Sequence, residues 1–384
     1  MSTVLAVLAA AMTAVAEPVY VGLDLEFGHQ TSTSAEAVQR GVELAIAEVN
    51  AAGGVLGGRP LEAVVMPNRA VPARGVENLR SFAARKDAVA LFCGKFSPVV
   101  LEQIPLLPGL EMPLLDPWAA ADGIVDNGQH PNYVFRLSLR DSWAMQTMLE
   151  YAASRGLSRV ALLLPNTGWG RSNAAAAEAY QRSHASPKIV STRWFNWGVE
   201  SLREDYEAFL TAGAQALIFV TNEGPGAVLV REVAALPPEK RLPIIAHHGI
   251  AGGDLVALSG PALAQVDLTA VQFFTFVGSA RPQARALLAA AEKRYGVQDA
   301  GHVLSAGGLA AAYDLTHLLA RAVQKAGSTD RKAVRKALEE LRDYDGAVKK
   351  LPRPFTPDRH EALGPEDLFM ARFTAAGGLV RVAR

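Results

Sequence analysis

The chain has 384 residues, with 38 Lys and Arg against 38 Asp and Glu, and one cysteine, Cys93. The zero formal net charge leaves no basic excess to neutralise phosphates, which argues against nucleic acid as the main partner. A lone cysteine excludes an intramolecular disulfide and a thiolate metal set, and a chain of this length suits about two domains. Residues 4–15 are apolar and end in Ala14-Val15-Ala16, the A-x-A form of a signal-peptidase site, although no Lys or Arg precedes them. The reading is a signal peptide over 1–16, cleaved after Ala16, with no cysteine behind it to carry a lipid anchor and too few residues to span a bilayer.

Residues 19–23 alternate as a strand. The next long segment, 33–60, reads as one amphipathic helix and its turn. Thr33 and Glu36 have capping-box spacing, Val38, Val42, Ala45, Ile46 and Val49 form one stripe, and Gly53-Gly54 supplies the stop. Strand candidates follow at 61–66, 89–92 and 113–116, with a helix over 73–85. Cys93 extends the second of these runs as a small core residue. A second series starts near Tyr133: strands 159–164, 189–194, 215–220 and 243–247 alternate with helices 141–154, 171–183, 201–211 and 226–235. After a strand candidate at 268–276 come helices 283–295, 303–324 and 331–341, the last capped by Ser328-Thr329-Asp330, and a closing hairpin, 368–373 with 379–382. The same βα grammar run twice predicts an α/β protein with two parallel-sheet lobes.

The run Gly41-Val42-Glu43-Leu44-Ala45, followed by Glu48-Val49-Asn50-Ala51-Ala52-Gly53-Gly54-Val55-Leu56-Gly57-Gly58-Arg59, resembles the first helix and turn of the leucine/isoleucine/valine-binding protein family. The tail from Arg353 to Ala371 resembles one divergent subgroup of it. The resemblance covers most of 18–341. It implies the type I periplasmic binding protein fold: two Rossmann-like lobes with parallel central sheets joined by a three-strand hinge. Lobe 1 would be 17–140 plus 274–343, and lobe 2 would be 141–273 plus 344–384. It also implies a periplasmic, monomeric, non-enzymatic receptor, without cofactor or metal, for a small solute. The partner would be the membrane permease of an ABC importer or, alternatively, a sensor kinase.

Ligands of parallel sheets gather at the carboxyl ends of the strands. In lobe 1 this picks the loop 26–34, ending at Ser34, then Gly94-Lys95-Phe96-Ser97-Pro98, then Pro117-Trp118-Ala119-Ala120. In lobe 2 it picks 165–170 with Trp169, Thr221-Asn222-Glu223-Gly224, and His247-His248-Gly249. Ser97 precedes a helix and can cap it; by the resemblance it also stands where these receptors hold a carboxylate. Lys95 either adds a charge to that contact or is solvated. Trp118 is core packing or a cleft wall. Where the amino-acid receptors place a Thr or Ser, this chain has Ala119 and Ala120, leaving backbone N–H groups alone. Trp169 stands at a family tyrosine position and can cover the ligand. His248 stands where an acidic residue would pair with an ammonium, and Glu223 can restore that charge or sit on the surface. A small polar or carboxylate-bearing solute, whether an amino acid or an organic or aromatic acid, fits this set. His247-His248 makes a poor metal pair, because neighbours in a strand point to opposite faces and no third ligand is indicated. An enzyme on the same scaffold would need a nucleophile–base pair, a metal set or a cofactor loop, and none is apparent.

Overall fold

The computed structural model describes residues 16–28 and 32–382, so the expected leader, Ala16 apart, and part of the first loop lie outside the described residues. Two sheets carry the fold. The first has the order β2-β1-β3-β4-β5, built from β1 Val19–Leu25, β2 Leu61–Pro67, β3 Ala88–Cys93, β4 Leu114–Asp116 and β5 Val134–Arg136. All its pairings are parallel. The second contains β6 Arg159–Pro165, β7 Lys188–Phe195, β8 Ala216–Phe219, β9 Ile244–Ala246 and β10 Leu268–Gln272. A short hairpin, β11 Tyr344–Asp345 with β12 Lys350–Leu351, stands apart from both sheets. β13 Phe369–Phe373 and β14 Leu379–Arg381 then join the edge of the second sheet, giving the order β14-β13-β10-β9-β8-β6-β7. Only β13 is reversed there, antiparallel to both β10 and β14. Central strands such as β3 and β8 are buried along their whole length, as sheets covered by helices on both faces require.

The helix Ser34–Ala51 packs along the helix Ala306–Ala326, which places this late segment on the first sheet. The helix Arg331–Glu339 is tied down as well. Arg331 donates to the carbonyls of Ala83, Ala88 and Leu110 at 2.7, 2.8 and 3.0 Å, and Asp330 caps the helix by accepting from the Ala333 N–H at 2.8 Å. Gly53 and Gly54, at φ of +103° and +70°, end the first long helix as expected.

Four expectations are corrected. Thr33 makes no capping bond; it sits in αR and its hydroxyl is 2.8 Å from Ser305 Oγ instead, so a tertiary contact wins over the local box. The strand expected over 268–276 stops at Gln272, where the chain crosses away from the second sheet. The segment from 344, expected to lie wholly with lobe 2, first packs on the first sheet. Tyr344 bonds Asp314 at 2.8 Å, the Ala362 N–H bonds the Arg136 carbonyl at 2.9 Å, and Phe355 and His360 pack on Phe135. Only β13 and β14 reach the second sheet. Finally, β5 stands where no strand was expected; its three residues are all buried.

Candidate functional site

In each sheet the strand order reverses beside one central pair, and a crevice opens there. In the first sheet this lies between β1 and β3, in the second between β6 and β8. The loops that leave these strands face one another, and the two lobes are closed on each other.

The first-sheet side is built from three loops. After β1, Glu26 is buried; Ser32 Oγ donates to its Oε1 at 2.8 Å and Ser34 Oγ donates to the same oxygen. After β3, the Lys95 N–H reaches Glu26 Oε2 at 3.4 Å. Ser97 is the first residue of the helix Ser97–Gln103 and does not cap it. Its Oγ accepts from the Ala121 N–H at 3.3 Å, tying this loop to the next. After β4, Asp116 Oδ1 accepts the N–H groups of Trp118 and Ala119 at 2.9 and 2.7 Å. Beneath them Arg136, wholly buried, donates Nη1 to the carbonyls of Ala119 and Ala121 at 3.0 Å each and forks onto Glu361 through Nε at 2.9 Å and Nη2 at 2.5 Å. The loop is thus pinned from below, and the Ala120 N–H makes none of these bonds. Burial pushes the Asp116 carboxyl up to about 7, against the pull of Arg136 and the loop N–H groups.

The second-sheet side is aromatic. Trp169 begins a helix capped by Thr167, and its Nε1 donates to Asp141 Oδ1 at 2.9 Å. His247 Nε2 lies 3.1 Å from the same oxygen. Trp197 lies nearly parallel to Trp169, at 6.5 Å between ring centres and 13° between planes. Glu223 opens the helix Glu223–Ala234, where the N-terminal dipole favours its charge, and Asn222 precedes it. His248 is buried, and its pKa is pushed well below the usual imidazole value by burial first and then by His247, Arg136 and Lys95. It is neutral at pH 7.

Three contacts join the sides. Lys95 Nζ donates to Glu223 Oε2 at 2.7 Å, to Glu223 Oε1 at 2.9 Å and to the Gly252 carbonyl at 3.0 Å, with both side chains essentially out of water. Trp118 packs on His248 at 5.3 Å with 32° between planes, and Phe96 meets Trp197 edge-on at 6.3 Å. Backbone bonds follow the same seam: the N–H groups of Thr33 and Ser34 donate to the Gly252 carbonyl at 3.0 and 3.2 Å. Among the described residues the Trp118 Nε1–H is buried without an acceptor. Outside this core a cavity of about 480 Å³ opens at the mouth, with Phe96 and Arg69 on one side and Trp197, Asn222 and Glu223 on the other. A larger cavity of about 790 Å³ lies elsewhere, beside Arg140 and Lys349. Those two cations are already paired with Asp122 and Asp367 at 2.8 and 2.6 Å.

Of the eleven residues picked from the sequence, Ser34, Lys95, Phe96 and Trp118 on one side and Glu223 and His248 on the other make contacts across the seam; Asn222 lines the mouth, Trp169 lies beside Trp197, and Ser97, Ala119 and Ala120 are held within the first-sheet side. Lys95 is not solvated. The strand argument applied to His247 and His248 fails, because β9 ends at Ala246 and the two rings lie 4.9 Å apart. No metal-binding group of side chains occurs among the described residues. Sequence reasoning missed Glu26, Asp141 and Trp197 as site residues. The first was legible as a carboxylate directly behind a buried strand; the other two carry no local signal.

The sequence model described as periplasmic binding protein matches residues 18–378. No curated protein matches the chain. Among solved structures, a type 1 periplasmic binding protein from Bordetella pertussis Tohama I superposes with a TM-score of 0.85 at 22% identity, covering 95% of this chain and 100% of that one. The branched-chain amino acid transporter substrate binding protein LivJ from Streptococcus pneumoniae, in complex with isoleucine, gives 0.79 at 18%, covering 94% and 98%. An ABC transporter solute binding protein from R. palustris, in complex with benzoate, gives 0.77 at 16%, covering 95% of each chain. These likenesses show the two-lobed α/β fold. The match over 18–378 shows more: the chain belongs to the periplasmic binding protein family.

Proposed function

We propose that this chain is an exported receptor that captures a small carboxylate-bearing solute between its two lobes and delivers it, chemically unchanged, to the permease of an ABC importer. The observation that carries the reading is the Trp118 Nε1–H, buried and unpartnered among the described residues, beside a loop whose Trp118, Ala119, Ala120 and Ala121 carbonyls are taken by Ser138, Arg136 and the Asp141 N–H. An indole N–H without an acceptor costs about 1–3 kcal/mol, and a carboxylate relieves it. Isoleucine and benzoate, bound in two of the structural neighbours, both carry that group. Ser97, the Ala120 N–H and Trp118 would hold the carboxylate; Phe96, Trp169, Trp197 and neutral His248 would wall the rest of the solute. The lobes in this reading are 17–140 plus 274–343 and 141–273 plus 344–384, amended so that 344–363 stays with the first. Export rests on the Ala14-Val15-Ala16 site.

Native mass spectrometry of residues 17–384 purified from cells tests this. The expected result is a discrete adduct that dissociates intact on mild activation, or one that forms when small carboxylic acids are added. A chain that stays bare through a broad acid panel, or that releases an altered molecule, contradicts it.

A further inference from the structure

Trp197 is placed for contact rather than for the core. It follows β7 in a tight turn whose Val199 N–H reaches the Asn196 carbonyl at 3.3 Å, with Gly198 at φ +81°, in the left-handed region that such a turn needs. Phe195, itself buried, meets the Trp197 ring edge-on at 5.8 Å, and Trp169 lies nearly parallel to it. These ring contacts hold the indole in one orientation, yet the residue remains 38% exposed. An indole is among the largest apolar surfaces a side chain can bury, so one that is propped in place and left open forgoes stability.

The indole lines the cavity of about 480 Å³ at the mouth. Val199, Pro225 and Val228 accompany it on the second-sheet side, and Phe96 closes on it from the first-sheet side, edge-on at 6.3 Å. The rings continue inward from there. Trp197, Trp169, His247, His248 and Trp118 follow one another with centres 6.5, 5.1, 4.9 and 5.3 Å apart. One unbroken series of rings thus joins the mouth cavity to the Trp118 indole, where the carboxylate is placed above. Apolar walls alone would take an alkyl chain as readily as a ring. Rings add a directional attraction that only another π-system returns, because the electron-rich face of one meets the electron-poor edge of the other. The near-parallel indoles, and the phenyl set at 73° to Trp197, present both kinds of surface.

We propose that the mouth cavity seats a planar aromatic group, with Trp197 as the specificity-determining residue, so that the solute is an aromatic carboxylate. This rests on the receptor reading above and narrows its substrate class.

Calorimetric titration of matched acids into the wild-type chain tests the seat: benzoate against cyclohexanecarboxylate, and phenylacetate against cyclohexylacetate. The members of a pair share the carboxylate and the carbon skeleton. The saturated ring has more hydrogens to bury, so burial alone favours it at least as much. The aromatic member of whichever pair binds is expected to bind roughly two- to tenfold more tightly, the size of a ring–ring contact beyond its buried area. In Trp197→Leu that ratio is expected to fall to about one. Trp194→Leu removes another exposed indole, one packed beside Gly170 and not lining the cavity, and is expected to leave the ratio unchanged. A wild-type ratio of one or less overturns the proposal while the receptor reading stands, and so does a ratio that survives Trp197→Leu. Should Trp197→Leu fail to fold, the wild-type ratio decides alone. Binding of neither member of either pair overturns the aromatic seat and counts against the receptor reading as well, so the two failures are distinguishable.

Discussion

Arg136–Glu361 and Lys95–Glu223 are both cut off from water, yet they are held in different ways. Arg136 makes a two-pronged contact with Glu361 and spends its remaining donors on the Ala119 and Ala121 carbonyls, with Asp116 at 3.9 Å behind. All its partners belong to the first-sheet side, so lobe motion leaves the set intact. Lys95 reaches the opposite side, and every one of these partners of its ammonium would move away were the cleft to open. Opening returns both Lys95 and Glu223 to water, which offsets the lost attraction. One pair is a fixed part of the floor on which the site loop rests. The other spans the cleft. Burial alone does not tell them apart; which elements supply the partners does.

The largest expected effect breaks the fixed pair. Arg136→Met leaves Glu361 buried with only the more distant Arg140 guanidinium, at 3.9 Å, and frees two carbonyls, at a cost of about 3–5 kcal/mol, read as a lower guanidinium midpoint. Glu223→Gln is expected to cost less in the same assay, about 1–3 kcal/mol, and to show instead as a larger radius of gyration in X-ray scattering, because the open form pays nothing for the change. Equal losses with no change in radius would erase the distinction.

Next comes a pH effect that involves only the first lobe. Burial raises Asp24 to about 6 despite its bonds to Asn78 and Gln103, and raises Asp314 to about 6 despite two backbone N–H groups and the Tyr344 hydroxyl. A folded-state value above the unfolded one near 3.8 means that the folded chain binds more protons. Stability from these groups is therefore present below about pH 4 and lost as pH rises through about 6, by roughly 3 kcal/mol for each. Urea midpoints between pH 4 and 7 should show a shallower decline in Asp24→Asn, whose amide can bond the free Gln103 Oε1 after a flip. An unchanged slope would contradict the assignment.

Smallest is Trp169→Phe. It keeps the packing against His247 but deletes the 2.9 Å bond to Asp141, for about 1 kcal/mol. A loss in solute affinity larger than the loss in stability would place the indole in contact with the solute.

The parts legible in the sequence are those with a period. The helix over Asp141–Ser154 and the strand Arg159–Pro165 follow from apolar spacing and turn residues, and so do the loops at the strand ends where the site lies. What was not legible depends on partners far away in the chain. Lys95 and Glu223 are 128 positions apart, so nothing local says that this lysine is buried. The hydroxyl of Thr33 is drawn from its capping role by Ser305, 272 positions on. β5 is only three residues long, and the segment over 344–363 has no repeat to read; its place is set by the Arg136 backbone and the Phe135 ring. Trp197 belongs to the site because it lies beside Trp169, which no spacing rule reveals.

The central claim is that a carboxylate binds between the lobes at the unpartnered Trp118 N–H. Calorimetric titration of a panel of small carboxylic acids into the wild-type chain and Trp118→Phe tests it most directly. The phenyl ring keeps an aromatic face against His248 but has no N–H. Saturable binding of at least one acid is expected, weakened roughly ten- to hundredfold in Trp118→Phe, as follows for one lost hydrogen bond to a charged group. Equal affinity in the two proteins, or no acid bound by the wild-type chain, would contradict it.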